Sequence, residues 1–238
     1  MSEASYIQQK ITNPKEDKLL YAVVYSILFL FALCILYPII FIISASFSDG
    51  TEVQLGRVYL LPVKPTLDGY QAVFSHKNVL ISFRNTLFYT LAGTAINIIV
   101  TLLCAYPLSR KDMPFRGFFM FLFVFTMFFS GGLIPSYLLV TQLRMINTVW
   151  ALLLPGAMSV YNMIITRTFF DSNVPVELLE ASQIDGCSDA RYFFSILLPL
   201  SHAVVAVIAL FYAVGHWNAY FSALIYIRDP NLQPLQLI

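Results

Sequence analysis

The sequence predicts an all-α integral membrane protein, and two observations carry that prediction. Hydrophobic residues make up 58% of the 238 residues and charged residues only 11%, whereas soluble domains average roughly 45–50% and 25%. The mean hydropathy is +0.74. A soluble domain of this length leaves too many residues in contact with water to accommodate so much apolar surface. These values argue against a soluble enzyme and a disordered tail. The balance of 14 Lys and Arg against 13 acidic residues argues against a nucleic-acid binder.

Five charge-free stretches are long enough to cross a bilayer, which needs about 20 apolar residues. They are residues 19–43, 86–109, 117–143, 145–166 and 192–227. The third is interrupted near its end by two glycines and a proline, and the fifth is longer than one span requires. The first is too long for the core of a signal peptide, which is about 7–15 residues, so we expect an uncleaved span. The sequence therefore predicts five transmembrane helices.

The distribution of Lys and Arg predicts the orientation, because short cytoplasmic segments are rich in these residues. Basic residues are dense in the N-terminal segment 1–18, in the turn 110–116 and at both ends of the loop 167–191. We expect all three in the cytoplasm. The mixed segment 44–85 is too polar to span, and its turn residues predict a folded external loop with a short amphipathic helix near residues 70–74.

The loop 167–191 contains the clearest local signals in the chain. Pro175 and the acids that follow it mark the start of a helix. Gly186 can adopt a positive φ and end that helix. A second helix then begins near Ser188 and continues to Pro199. Two helices that meet at an angle and carry small side chains would allow another protein to approach closely, although a plain amphipathic connector is a competing interpretation.

Residues 180–199, which begin in this loop and continue past it, contain several residues at a characteristic spacing. Its elements are Glu180-Ala181-Ser182, three residues, Gly186, nine residues, and Ile196-x-Leu198-Pro199. This arrangement resembles the EAA loop of binding-protein-dependent ABC importer permeases, with Ser182 and Cys187 in place of small alanines. Over the full chain the resemblance is to the carbohydrate-uptake branch, the maltose-type second permease, and within it to oligosaccharide permeases of Gram-positive bacteria.

The resemblance implies a type I ABC importer permease fold over residues 19–238. Family members have six spans, so we expect that the sixth helix is missing from this chain. The loop 167–191 would then be the coupling loop that docks a separate ATPase. The residues expected in this role are Glu177, Glu180, Ala181, Ser182, Asp185, Gly186, Cys187, Ile196, Leu198 and Pro199.

The resemblance also implies function and partners. The chain would move a sugar or oligosaccharide from an external solute-binding lipoprotein into the cytoplasm by alternating access, in the plasma membrane of a bacterium. Its partners would be a dimer of ABC ATPase subunits, a second permease subunit in a heterodimer, and the lipid bilayer, with no nucleic acid. ATP and Mg would belong to the ATPase, because this chain lacks the Gly-x4-Gly-Lys-Ser/Thr motif and is not expected to be an enzyme. No cofactor or metal is expected on it.

A sugar pathway needs aromatic faces and neutral hydrogen-bonding groups. Tyr212, His216 and Tyr220 recur every four residues, which would place them on one helix face. The competing interpretation for Trp217 and Tyr220 is an aromatic belt at the outer membrane interface. We expect Tyr212→Ala to lower transport without disturbing assembly. The candidate pathway residues are Asn97, Thr126, Tyr212, His216, Trp217, Asn218 and Tyr220.

Three other functions are weighed against this one. A secondary transporter usually buries carboxylates at the membrane midplane and contains inverted repeats, and the predicted spans show neither. A membrane-embedded enzyme needs clustered catalytic side chains, and the three histidines are scattered. A membrane anchor for a peripheral ATPase stays open, and polar residues facing a pore would distinguish the importer from it.

Overall fold

The computed structural model describes the backbone of residues 14–238 and the side chains of residues 18–238. Over this range all the regular secondary-structure elements are helices. One isolated antiparallel bridge joins Ser48 and Pro65. The chain divides into two compact units, Met1–His76 and Lys77–Ile238.

The first unit begins with one long helix, α1, Pro14–Ser46. Its segment Lys18–Ser46 is long and apolar enough to cross a membrane. The apolar side chains of this segment are exposed around most of the helix, as expected where hydrocarbon rather than protein surrounds a helix. The helix covers the first predicted span, residues 19–43.

The rest of the first unit is a folded loop with two short helices, α2, Gly50–Gln54, and α3, Asp68–Ser75. The helix α3 includes the amphipathic helix predicted near residues 70–74. The buried Ser48 side chain joins the two ends of the loop. Its hydroxyl donates to the Ser44 carbonyl at 2.6 Å and accepts from the Val63 amide at 3.0 Å.

An ion pair closes the same loop. The Glu52 carboxylate, whose side chain is 5% exposed, accepts from Lys64 Nζ at 2.6 Å and from Arg57 Nη1 at 3.2 Å. These hydrogen bonds, the one from Lys64 first, lower the pKa of Glu52 below its ordinary value of 4.5. Deprotonated Glu52 therefore holds the loop in its observed form.

The second unit is a bundle of helices followed by two short 3-10 turns, Pro230–Leu232 and Leu235–Leu237. Its helices are α4, Lys77–Ser109; α5, Arg116–Phe128; α6, Leu133–Gln142; α7, Trp150–Leu153; α8, Val160–Asn173; α9, Val176–Ile184; α10, Asp189–Leu200; α11, His202–Trp217; and α12, Phe221–Tyr226.

Helix α4 forms the centre of this bundle, packed against α8 and α11. Its buried residues Leu102 and Ala105 belong to one core cluster with Met163 of α8 and Ile208 and Tyr212 of α11. The helix begins at Lys77 rather than at residue 86, because Ser82, Asn85 and other polar residues of its first turns are buried within the unit. The segment 44–85 is therefore a loop only as far as His76.

The third predicted span is not one helix. Helices α5 and α6 meet at 110° across a break of a few residues. Gly132, at this break, has φ +84°, a conformation that glycine adopts without strain. The sequence located the interruption, but the change of direction divides the predicted span 117–143 into two short helices.

The prediction that residues 145–166 form a fourth membrane-spanning helix is wrong. Helix α8 begins at Val160, where the Ser159 side chain accepts from the Asn162 amide. The helix continues past residue 166, the predicted end, because the charged side chains that follow make polar contacts within the bundle. Arg167 Nε donates to the Leu108 carbonyl at 3.0 Å, and Arg167 Nη2 lies 3.8 Å from Asp171. The loop predicted to begin at residue 167 therefore begins only after Asn173.

The fifth predicted span, residues 192–227, is also divided. Helices α10 and α11 meet at 81°, next to Pro199, which has no amide hydrogen to donate within a helix. Among the described residues, two helices are individually able to cross a membrane, or up to four if each bent pair forms one span. The structure thus confirms the all-helical membrane fold but not five unbroken spans.

We predict that acid loosens the loop of the first unit through Glu52. Because its folded-state pKa is lowered, the stabilisation is present above the ordinary pKa and is lost as the pH falls through the lowered value. Hydrogen–deuterium exchange of residues 47–66, corrected for the intrinsic pH dependence, should show protection at pH 7 that declines below about pH 4.5. Glu52→Gln should reduce protection at pH 7 and remove this dependence on pH.

The matched control for this change is Asp68→Asn. Asp68 lies in the same loop and makes no ion pair among residues 18–238. The exchange profile of the Asp68→Asn variant should match that of the wild-type protein. Equal protection in the Glu52→Gln and wild-type loops at pH 7 would show that the ion pair does not hold the loop.

Candidate functional site

Helices α9 and α10 form an elbow, defined here as Val176–Leu200, that matches the local signals in the sequence. Gly186 has φ +71°, and the helix end is closed by bonds from the Gly186 amide to the Gln183 carbonyl and from the Cys187 amide to the Ser182 carbonyl. Helix α10 starts next to Ser188, as predicted, and the Ser188 hydroxyl caps it by accepting from the Arg191 amide. The elbow is thus fixed by local interactions at its bend.

The two arms of the elbow differ in burial. Helix α9 buries only Ser182, whose hydroxyl donates to the Leu179 carbonyl at 2.7 Å. Helix α10 buries Tyr192, Phe193 and Leu197 in the main core cluster. The elbow therefore joins an exposed helix to one that packs partly in the core.

The predicted docking residues separate accordingly into two groups. Glu177, Glu180, Ala181, Asp185 and Gly186 are exposed on the α9 side. Of the others, Ser182 is buried, three are half-buried and pack against the core cluster, and Pro199 is exposed near the far end of α10. This second group is Ser182, Cys187, Ile196, Leu198 and Pro199.

Arg110, which sequence reasoning used only to infer orientation, links the elbow to helix α4. Its side chain is only 13% exposed. Nη1 donates to Asp189 Oδ1 of the elbow at 2.5 Å and to the Tyr106 hydroxyl at 3.2 Å, while Nε and Nη2 donate to Asp112 at 2.9 and 2.6 Å. The bonds to Asp112, followed by those to Tyr106 and Asp189, raise the pKa of Arg110. Arg110 is therefore a permanent cation that holds the start of α10.

A second feature is a cavity of about 780 Å³ lined by residues of α4, α6, α7, α11 and α12. It contains three of the predicted pathway residues, Asn97, Tyr212 and His216. Asn97 Nδ2 donates to the Gly156 carbonyl at 3.0 Å, and Asn97 Oδ1 lies 3.4 Å from His216 Nε2. Asn97 and His216, which are far apart in the sequence, thus contact each other at this cavity.

The Tyr212 hydroxyl has a structural role beside this cavity. It accepts from the Ser159 amide at 3.1 Å and is hydrogen-bonded to Thr101 Oγ1 at 2.6 Å. The side chain belongs to the main core cluster. The expectation that Tyr212→Ala leaves assembly undisturbed does not fit this position, because truncation removes core packing as well as two hydrogen bonds.

The other four predicted pathway residues do not line this cavity. Thr126 donates to the Phe123 carbonyl on α5, and Asn218 donates to the Val214 carbonyl at the end of α11. Trp217 packs edge-on against Phe83, with ring centroids 6.3 Å apart. Tyr220 lies beyond the last residue of α11, so it does not continue the helix face of Tyr212 and His216 as predicted.

Gly93 contacts the His216 ring, and sequence reasoning missed this residue. A Cβ atom at this position would lie 2.7 Å from His216 Cδ2 and closer still to other ring atoms. The absence of a side chain therefore lets the His216 ring lie directly on the backbone of α4. In the sequence Gly93 is a lone glycine within an apolar helix, a pattern too common to indicate contact with a histidine.

The C-terminal residues are held at the opposite end of α4 from Arg110. Asn85 Nδ2 donates to the carbonyls of Asn231 and Gln233 at 2.7 and 3.1 Å. The Tyr89 hydroxyl donates to the Leu232 carbonyl at 2.8 Å, and Thr86 Oγ1 accepts from the Leu235 amide at 2.8 Å. These polar side chains of α4 explain why its first turns are buried.

Comparison with known proteins agrees with this architecture. Residues 87–237 match the family described as binding-protein-dependent transport system inner membrane component. The chain is 42% identical to the polygalacturonan/rhamnogalacturonan transport system permease protein YtcP of Bacillus subtilis, over 94% of this chain and 78% of that protein. It is 44% identical to Protein LplC of the same organism, over 84% and 68%. A solved structure, a bacterial ABC transporter involved in the import of the acidic polysaccharide alginate, superimposes with a TM-score of 0.89 at 36% identity, over 93% of this chain and 79% of that one.

We predict that Gly93→Ala displaces the His216 ring and destabilises the second unit by about 1–3 kcal/mol, the usual penalty for overpacking a close contact. Thermal unfolding of the purified protein measures this effect. The matched control is Gly215→Ala in α11, where nothing lies within 4 Å of an added Cβ. That change should be neutral or slightly stabilising. If the clash with the ring is the cause, Gly93→Ala should have a smaller effect in a His216→Ala background.

Proposed function

Because the chain belongs to the family of binding-protein-dependent transport system inner membrane components, we propose that it is the permease subunit of an ATP-driven importer for an oligosaccharide. A separate ATPase dimer docks on the elbow, an external solute-binding protein delivers the sugar, and a second permease subunit completes the pathway in the plasma membrane. The N-terminus lies in the cytoplasm. The observation that carries this proposal is the elbow, in which the exposed helix α9 is followed by α10, a helix that buries Tyr192, Phe193 and Leu197 in the core.

The surface of α9 suits a close protein contact. Ala181 and Gly186 are exposed and small, so a partner can approach the backbone. Glu177, Glu180 and Asp185 are exposed acids that offer hydrogen bonds to basic side chains of the ATPase. These residues support docking, and ATP and Mg then belong to the partner rather than to this chain.

Two connections would carry a movement of α9 into the bundle. The first is the packing of Tyr192, Phe193 and Leu197 in the core. The second is the bond from Arg110 to Asp189, which joins the elbow to the end of α4. Coupling between ATP hydrolysis and transport requires one element whose position both sites influence. The elbow together with α4 is that element in this proposal.

The cavity beside Asn97 and His216 supports passage of a sugar. Its lining combines aromatic and aliphatic faces with neutral polar groups such as Asn97, Ser136, Ser159 and His216, which is the pattern of sites for uncharged polar ligands. Such a cavity favours an importer over a membrane anchor for an ATPase. The lining contains no Asp or Glu among the described residues, which also disfavours a secondary transporter driven by buried carboxylates.

We predict that Gly186→Glu abolishes substrate-stimulated ATP hydrolysis in the assembled importer while leaving membrane insertion intact. A non-glycine residue at φ +71° is strained by about 1–2 kcal/mol, and the larger side chain blocks close approach. The matched control is Gly56→Glu, since Gly56 also has a positive φ and nothing within 4 Å of its Cβ position but lies in the loop of the first unit. ATPase assays on reconstituted complexes measure the effect. Full stimulation in Gly186→Glu would refute docking at the elbow.

We predict further that Asp189→Asn lowers substrate-stimulated ATP hydrolysis about two- to fivefold, the range expected for an ion pair with one exposed partner. The change removes the charge that Arg110 contacts on the elbow. Asp112→Asn is the control, because it weakens the bonds of Arg110 within its own turn and leaves the link to Asp189 intact. Equal losses in the two variants would show that the link between elbow and α4 has no special role.

A further inference from the structure

We propose that His216 binds an uncharged, hydroxyl-bearing part of the transported sugar through its Nδ1 atom, and that Asn97 holds the imidazole in the tautomer that this requires. The inference rests on the proposed importer function. It goes further by specifying which chemical groups of the substrate the cavity accepts and which side chain binds them.

The orientation of the Asn97 amide determines the tautomer. Asn97 Nδ2 lies 3.0 Å from the Gly156 carbonyl, to which only the NH₂ group can donate. Its Oδ1 atom is therefore the atom that lies 3.4 Å from His216 Nε2. An amide oxygen only accepts, so Nε2 must carry a hydrogen. A neutral imidazole has one N–H group, which leaves Nδ1 as an acceptor.

The position of the ring leaves this acceptor available. His216 lies against Gly93 on one side and lines the cavity, and its side chain is half-buried. Its Nδ1 atom has no hydrogen-bond partner among residues 18–238 and is not one of the fully buried polar atoms that lack one. A ligand in the cavity can therefore supply the missing donor.

The charge of the cavity identifies the ligand group. No Lys, Arg, Asp or Glu of residues 18–238 lines it. A lone pair on neutral Nδ1 accepts a hydrogen bond from a sugar hydroxyl but repels a carboxylate, which also finds no cation in the lining. Two similar proteins are named for polymers that include acidic sugars. In this chain the cavity binds the hydroxyl-bearing face of a sugar ring, and any carboxylate lies outside it.

Uptake measurements with two probes test the proposal. The probes are a galacturonate oligomer and its methyl ester, which have the same ring hydroxyls but differ in charge. The cells express the complete importer with wild-type chain, His216→Leu or His216→Asn, and immunoblots of membranes confirm equal amounts. The control is His202→Leu, the same change on the same helix at a residue whose ring bonds to the Pro199 carbonyl.

We expect His216→Leu to raise the KM for the methyl ester about tenfold, the loss of one hydrogen bond. His216→Asn should bring the KM most of the way back to the wild-type value, because the side-chain oxygen of the asparagine lies near the former position of Nδ1. His202→Leu should behave as wild type. A KM unchanged in His216→Leu, or an Asn variant no better than the Leu variant, would overturn the proposal while leaving the importer function in place.

The tautomer is tested separately by nitrogen NMR of the solubilised importer containing ¹⁵N-histidine in this chain. The His216 signals, assigned by their loss in His216→Asn, should show a protonated Nε2 and an unprotonated Nδ1, and Asn97→Leu should give a mixture. A proton on Nδ1 overturns the inference whatever the transport result. Failure of the wild-type importer to take up either probe would instead count against the proposed sugar transport, and the spectrum would still decide the tautomer.

Discussion

Helix α4 carries polar side chains on the face that it buries, and their need for partners organises the second unit. Among the described residues Ser82, Thr90 and Thr94 of this helix have no side-chain hydrogen-bond partner, but several others bond to distant segments. Because a buried polar group without a partner is destabilising by several kcal/mol, these bonds favour particular segments as neighbours of the helix. Asn85 and Thr86 bind the C-terminal turns, Asn97 binds the Gly156 carbonyl, and Thr101 pairs with Tyr212 of α11. Apolar packing alone would stabilise the bundle without selecting one arrangement.

The same helix connects the features on which function depends. It has 33 residues and is therefore about 50 Å long. The C-terminal turns contact its first turns, the cavity lies beside its middle, and Arg110 follows its last residue. The elbow, through Arg110, and the cavity, through Asn97, therefore both contact α4, which is why the contacts of Arg110 matter for a proposal about coupling.

The local parts of the candidate site could be predicted from the sequence, and the long-range parts could not. Pro175, Gly186 and Ser188 act on their own neighbours through caps and a positive φ, so the two helices of the elbow were predictable. The end of α8 was not, because Arg167 stays in the helix by bonding to the Leu108 carbonyl. Gly93 likewise matters only because His216 packs on it, and no local pattern indicates that contact.

Two side-chain hydrogen bonds join α4 and α11, and they differ in length and burial. The bond between Thr101 and Tyr212 is 2.6 Å long and buried, whereas the contact between Asn97 and His216 is 3.4 Å long and partly exposed. Short hydrogen bonds in a dry surrounding are the stronger ones. The hydrogen bond at Tyr212 is therefore the stronger of the two, and the contact at His216, one turn further along α11, is the weaker. In the proposed binding mode a sugar hydroxyl donates to His216 Nδ1, while Nε2 keeps its contact with Asn97. Sugar binding then breaks neither of the hydrogen bonds that join the two helices.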